Sequence, residues 1–177
     1  SRHPTRFVGA LVVTPVGDVA TGSIHLKCCG AADSTEDRTR RAEALYINDL
    51  FSEAADTAAP GAIRIIGGDL NLVGSREPLD ALRTGLDENG ASLGVADAQV
   101  LGDSVLATWG HDNSRYSSGR LDWMLFGDHN ADLVNAFVLD TTRLSDVSLA
   151  RSGLSRGDTQ ASDHDPLVVD LKPSAGW

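Results

Sequence analysis

The chain of 177 residues has no apolar run near the ~18 residues that a membrane-spanning helix requires, so no transmembrane helix is expected. Aromatic residues make up only 5% of it, which weakens the case for a nuclease that grips single strands on stacking platforms. Basic residues are outnumbered, with 15 Lys and Arg against 25 Asp and Glu, a net charge of −10 and a pI near 4.7. A protein that binds DNA mainly by neutralising phosphates shows a basic face. The balance here leans against high-affinity nucleic-acid binding, and the acidic surplus also serves solubility. Cysteine is nearly absent. Cys28 and Cys29 are neighbours, so they cannot staple distant elements, and a bond between them would close a small strained ring. The expectation is a pair of thiols with one buried. Without a His–Cys cluster they make a poor zinc site. Neither HExxH nor GxSxG occurs, which sets zinc and serine hydrolases low. No signal peptide is visible at Ser1, where the chain begins abruptly.

What is present is ordinary globular composition, 41% hydrophobic and 23% charged, at a length that suits one domain over residues 1–177. Residues 7–14 (FVGALVVT) and 19–26 (VATGSIHL) read as strands of a hairpin around Pro15-Val16-Gly17. Ser34 followed by Asp37 signals a helix N-terminus, and the helix runs to about Asp56. Its apolar stripe is assigned to Ala42, Leu45, Tyr46, Leu50, Phe51 and Ala54, with Arg38, Arg40, Arg41, Glu43 and Glu53 mostly opposite. Residues 62–68 (AIRIIGG) suit a buried strand. A short helix is expected over 78–84, and strands over 105–109, 121–126, 131–139 and 167–171. Residues 141–159 read as loop with a helical turn. The pattern predicts an α+β fold, a mostly antiparallel sheet with flanking helices.

Four short segments carry candidate chemistry. In Gly67-Gly68-Asp69-Leu70-Asn71, the Asp and Asn emerge from an apolar strand with side chains on one face. That pair can hold an attacking water and steady a phosphoryl oxygen or a metal, while the glycines let substrate approach the backbone. A strand-end turn with an Asx cap fits the same residues. Ser162-Asp163-His164-Asp165-Pro166 offers a metal ligand beside a group that titrates near neutral pH, or simply a capping turn. Asp122 interrupts an apolar strand and needs either a partner such as His or a solvated face. His25 ends a strand between apolar neighbours, where a satisfied core histidine is the commoner outcome.

Taken in order, IHL at 24–26, the Arg-rich helix with Glu43, GGDLN at 67–71, TW at 108–109, GRLDWML at 119–125 and SDHDP at 162–166 resemble the endonuclease/exonuclease/phosphatase superfamily. The resemblance spans residues 25 to 171. It implies half of a four-layered α/β sandwich and hydrolysis of a phosphate ester by an activated water. By the same resemblance, Asp69 and Asn71 contact the scissile phosphate, metal and water. Asp163, with Asp69, is a metal ligand. His164 binds phosphate or moves a proton, Asp122 orients His164, and His25 matches the strand-borne histidine of many members. Thr108 and Trp109 would lie near the substrate groove, and the loop over 111–118 would shape specificity. The implied cofactor is Mg²⁺, with Mn²⁺ or Ca²⁺ as alternatives.

The chain also departs from that pattern. The family's first-half metal-binding Glu, and an Asn on its first strand, have no counterpart among Glu36, Glu43, Glu53, Glu77 and Glu88. The expectation is therefore a C-terminal portion lacking its N-terminal half, weak in metal binding and turnover by itself. Its uncovered apolar face would drive homodimerisation or a refolded arrangement. A non-catalytic binding module with the same fold is the competing reading.

Overall fold

The computed structural model describes residues 6–110 and 116–174. Strand β1 (Phe7–Thr14) and β2 (Gly17–His25) form an antiparallel hairpin closed at the Thr14–Gly17 pair. Gly17 has φ 122°, which a side chain would resist. Helix α1 (Thr35–Ala58) returns the chain to β3 (Ile63–Asp69), which lies parallel to β2. After α2 (Glu77–Arg83) and the two-residue strands β4 (Gly94–Val95) and β5 (Gln99–Val100), β6 (Asp122–Phe126) runs antiparallel to β3 and carries β4 on its outer side. The order of this sheet is β1-β2-β3-β6-β4. A second sheet, β5-β7-β8, is built on β7 (Ala131–Val138) and the antiparallel β8 (Leu167–Pro173). Helix α3 (Asp146–Ser152) lies between them, capped by Ser145 and ended by Gly153 at φ 70°. The fold is α+β with mostly antiparallel pairing. No helix among the described residues is long and apolar enough to cross a membrane.

The core lies between the larger sheet and helices α1 and α2, around Ile24, Ile47, Ile66, Leu79, Leu82 and Leu125. Helix α1 starts where Ser34 predicts, its hydroxyl accepting from the Asp37 amide at 3.2 Å. The buried stripe is not the expected one. The helix turns Asp37, Arg40, Ala44, Ile47, Phe51 and Ala55 inward, while Leu45 and Tyr46 stay 43% and 53% exposed. Of the predicted stripe only Phe51 is buried. Ala44, Ile47, Phe51 and Ala55 form an apolar stripe at helical spacing in place of the expected one, and polar contacts extend it to Arg40 and Asp37. Arg40 is fully buried and donates to Asp37 at 2.9 Å and to the carbonyls of Lys27 and Cys29 at 3.0 and 2.6 Å. Asp37 in turn accepts from the Ser75 amide. Ranking residues by hydrophobicity puts Arg40 outside, whereas the ion pair and loop carbonyls hold it inside.

Two further expectations change. Residues 105–109 form no continuous strand. Only Trp109 makes bridges, to Gly119 and His164, because the loops at both sides take its backbone. The glycines before Asp69, expected for the approach of substrate, are required by packing between strands. A Cβ on Gly67 would meet the Trp123 carbonyl at 2.6 Å, and one on Gly68 the Ile24 carbonyl at 2.1 Å.

Removing the Arg40 side chain would leave the Asp37 carboxylate buried without its cation. Arg40→Ala is expected to lower unfolding stability by about 3–5 kcal/mol, read as a reduced urea midpoint at unchanged slope. A loss under about 1 kcal/mol would show that the ion pair does not hold the loop to the helix.

Candidate active site

Strand register assembles the first part of the site. β3 runs between β2 and β6, and its last residue, Asp69, is paired with His25 on one side and Asp122 on the other. Three side chains distant in sequence therefore share one row at the sheet's end. His25 Nε2 lies 3.5 Å from Asp69 Oδ2. Arg6, which the sequence reading did not single out, lies beside His25 Nδ1 at 3.5 Å.

Asp69 and Asn71 come together, though not by strand alternation. Asn71 has already left the strand, with φ 50°. Its amide donates to Asp69 Oδ1 and its Nδ2 to Asp69 Oδ2, both at 2.8 Å, while Nδ2 also donates to the Leu26 carbonyl at 3.2 Å. Asn71 thus clamps the carboxylate and ties it to the end of β2. Burial pushes the Asp69 carboxyl above the usual range. The Asn71 amide opposes this, the Asp122 charge adds to it, and His164 and His25 pull it back.

The second part is a polar chain behind His164. His164 Nδ1 lies 2.7 Å from Asp122 Oδ2, and the Thr108 hydroxyl donates to the same oxygen at 2.7 Å. Thr108 Oγ1 also accepts from the amides of Leu121 and Asp122 at 3.0 and 2.9 Å. Thr108 is fully buried. Its place is behind the Asp122–His164 pair, not on the groove wall where the resemblance puts it. Trp109 does line the cavity, and its indole donates to Asp163 Oδ2 at 2.9 Å. With Nδ1 engaged, the Nε2 edge of His164 is left for chemistry. Burial disfavours the imidazolium, but the Asp122 hydrogen bond and the charges of Asp122, Asp69 and Asp163 outweigh it, so the pKa is raised.

Asn71 and His164 line a cavity of about 680 Å³ together with Trp109 and Arg120, whereas His25, Asp69, Asp122 and Asp163 stand behind that wall and are not part of it. Arg120 also escaped the sequence reading. Its guanidinium stacks 3.9 Å from the Trp123 ring and pairs with Asp97 at 2.9 Å. Residues 111–115 of the expected specificity loop lie outside the described residues; Tyr116 and Ser117 line the cavity.

No protein-family model matches the chain, and no curated protein matches it in sequence. Solved structures do match. A mannosyl-6-phosphatase of Bacteroides thetaiotaomicron aligns with a TM-score of 0.55 at 18% identity, covering 88% of this chain and 52% of that one. An endonuclease/exonuclease/phosphatase family protein of the same organism aligns at 0.54 and 18%, covering 88% and 50%. TDP2 of D. rerio, complexed with single strand DNA product, aligns at 0.54 and 16%, covering 94% and 61%. The chain has the fold of endonuclease/exonuclease/phosphatase structures. It spans about half to three fifths of the length of the solved structures it matches.

Because its pKa is raised on folding, His164 contributes stability that is fully present below its unfolded value of about 6.5 and is lost as pH rises through the folded value. Asp122→Asn removes the main partner. An NMR titration of His164 is expected to give a lower pKa in the variant, with a flatter dependence of the urea midpoint on pH above neutrality. An unchanged titration would mean that Asp122 does not set the charge of His164.

Proposed function

We propose that this chain carries the water-orienting and proton-transfer groups of a metal-dependent phosphoesterase, acting on phosphodiesters or phosphomonoesters. The observation that supports the reading most is the Thr108–Asp122–His164 chain, which ends in the cavity that Asn71, the partner of Asp69, also lines. A carboxylate with a raised pKa suits acceptance of a proton from water, and an imidazolium sustained toward neutral pH suits donation to a phosphoryl or leaving oxygen. Asn71 acts by holding Asp69, since its Nδ2 already donates twice. His25 adds a second nitrogen donor beside Asp69.

Among the described residues, no group of three or more His, Cys, Asp or Glu side chains is placed to hold a metal. That donor set does not fit a closed protein cage. The proposed cofactor is Mg²⁺, which keeps several waters and takes one or two carboxylates together with substrate phosphate. Asp69 and Asp163 are the proposed carboxylates. When bound, Mg²⁺ would neutralise charge on the phosphate oxygens. Mn²⁺ or Ca²⁺ could take the same oxygens. Weak binding by this chain alone follows from so few ligands, with the remainder supplied by the other half of a complete domain. Val8 and Val12, on one face of β1, are 72% and 45% exposed, which supports an apolar face that the other half, or a second copy, covers.

The test compares the full open reading frame with the 177-residue chain on bis(p-nitrophenyl) phosphate, with Mg²⁺ and with EDTA. Turnover by the longer product is expected to need metal and to fall about 10²–10⁴-fold in Asp69→Ala, with the shorter chain far slower. Equal rates for the two lengths would reject the divided site. An inert longer product, across divalent metals, diesters and monoesters, would favour a binding module.

A further inference from the structure

The connection between β2 and α1 carries Cys28 and Cys29. In extended backbone, neighbouring side chains point to opposite sides. Here they point together. Cys29 takes φ 72° and Gly30 φ 82°, and the Cys29 sulfur lies against that of Cys28. The expected burial of one thiol does not occur, since Cys28 is half-buried and Cys29 exposed.

The loop around them is clamped by groups other than sulfur. Arg40, buried in α1, donates to the carbonyls of Lys27 and Cys29. The Lys27 amide donates to Glu43 at 2.7 Å. Both thiols border the cavity that Asn71 and His164 also line. No third protein ligand completes a metal cluster among the described residues. The geometry calls for a thiophilic centre that takes two sulfurs and brings its own third substituent.

We propose that Cys28 and Cys29 form a vicinal dithiol site for a trivalent organoarsenical, at the rim of the candidate active-site cavity. In R–As=O, two S–H bonds break and two As–S bonds form. The oxygen leaves as water with both protons, and arsenic stays trivalent, so no oxidant is needed. The ring so closed is one atom larger than that of a direct disulfide, which eases the strain of joining neighbours. Sulfurs already side by side lose little freedom on capture, and the second As–S bond is intramolecular. Obstruction of substrate by the bound arsenical rests on the proposed phosphoesterase function; capture itself does not.

The test is phenylarsine oxide at a stoichiometric dose, read by intact mass. The wild-type chain is expected to gain one phenylarsenic group that resists a monothiol wash and leaves with 2,3-dimercaptopropanol. Retention through the wash should fall about a hundredfold in Cys28→Ser and in Cys29→Ser, with melting temperatures matching wild type. Equal retention in either variant would overturn the two-sulfur site, as would loss of the wild-type adduct to monothiol. The location at the cavity is read separately. The His164 ring resonances should shift on labelling, and an adduct that leaves them unmoved would place the site away from the candidate active site.

Discussion

The placement of β3 between β2 and β6 is the constraint on which the site depends. It is parallel to one neighbour and antiparallel to the other. That register alone brings His25, Asp69 and Asp122 into a row. A shift of one residue would turn Asp69 to the opposite face and its apolar neighbours with it. Gly67 and Gly68 permit the register, because carbonyls of the flanking strands occupy the space a Cβ would need. The row also places two carboxylates on adjacent strands, an unfavourable pairing. Part of that cost is visible in the raised pKa of Asp69. Charge held at a disadvantage in a cleft is a recurring mark of functional sites.

Outside that row, the site is made by loops that converge on Asp122. One oxygen of this carboxylate meets both the Thr108 hydroxyl and His164. The Gly110 amide donates to the Asp163 carbonyl, and the Asp165 amide to the Thr108 carbonyl. The backbone on either side of the polar chain is thereby fixed. Trp109 joins the two loops again through its indole. The imidazole has one nitrogen committed to the half-buried Asp122 and lines the cavity, an arrangement that sets its charge and its direction together.

Helix α1 shows where reading by periodicity falls short. Its length and its Ser34 cap are local properties and were legible. Its buried apolar stripe of Ala44, Ile47, Phe51 and Ala55 is also written at helical spacing, but the burial of Arg40 is not, because that guanidinium is stabilised by groups far along the chain, including the Lys27 carbonyl and, through Asp37, the Ser75 amide. The same buried Arg40 shapes the loop that presents Cys28 and Cys29. A residue that looks like a solvated charge in sequence thus links the core to the cavity rim.

By itself the sequence determined the hairpin turn at Gly17, the start of α1, the strand leading to Asp69, the α+β class and the identity of the polar groups able to do chemistry. Those follow from local backbone preference and from the types of residue present. The resemblance already set Asp122 with His164; only the tertiary structure decided that Thr108 stands behind the pair instead of on the groove, that Asn71 clamps Asp69 from a left-handed turn, and that Arg40 is buried. Each of these draws on a partner at least 13 positions away, Leu26 for Asn71, Lys27 for Arg40 and Asp122 for Thr108, through hydrogen bonds whose strength depends on burial. Hydrophobic periodicity reports which residues avoid water; it carries no record of which polar groups will satisfy one another once water is excluded.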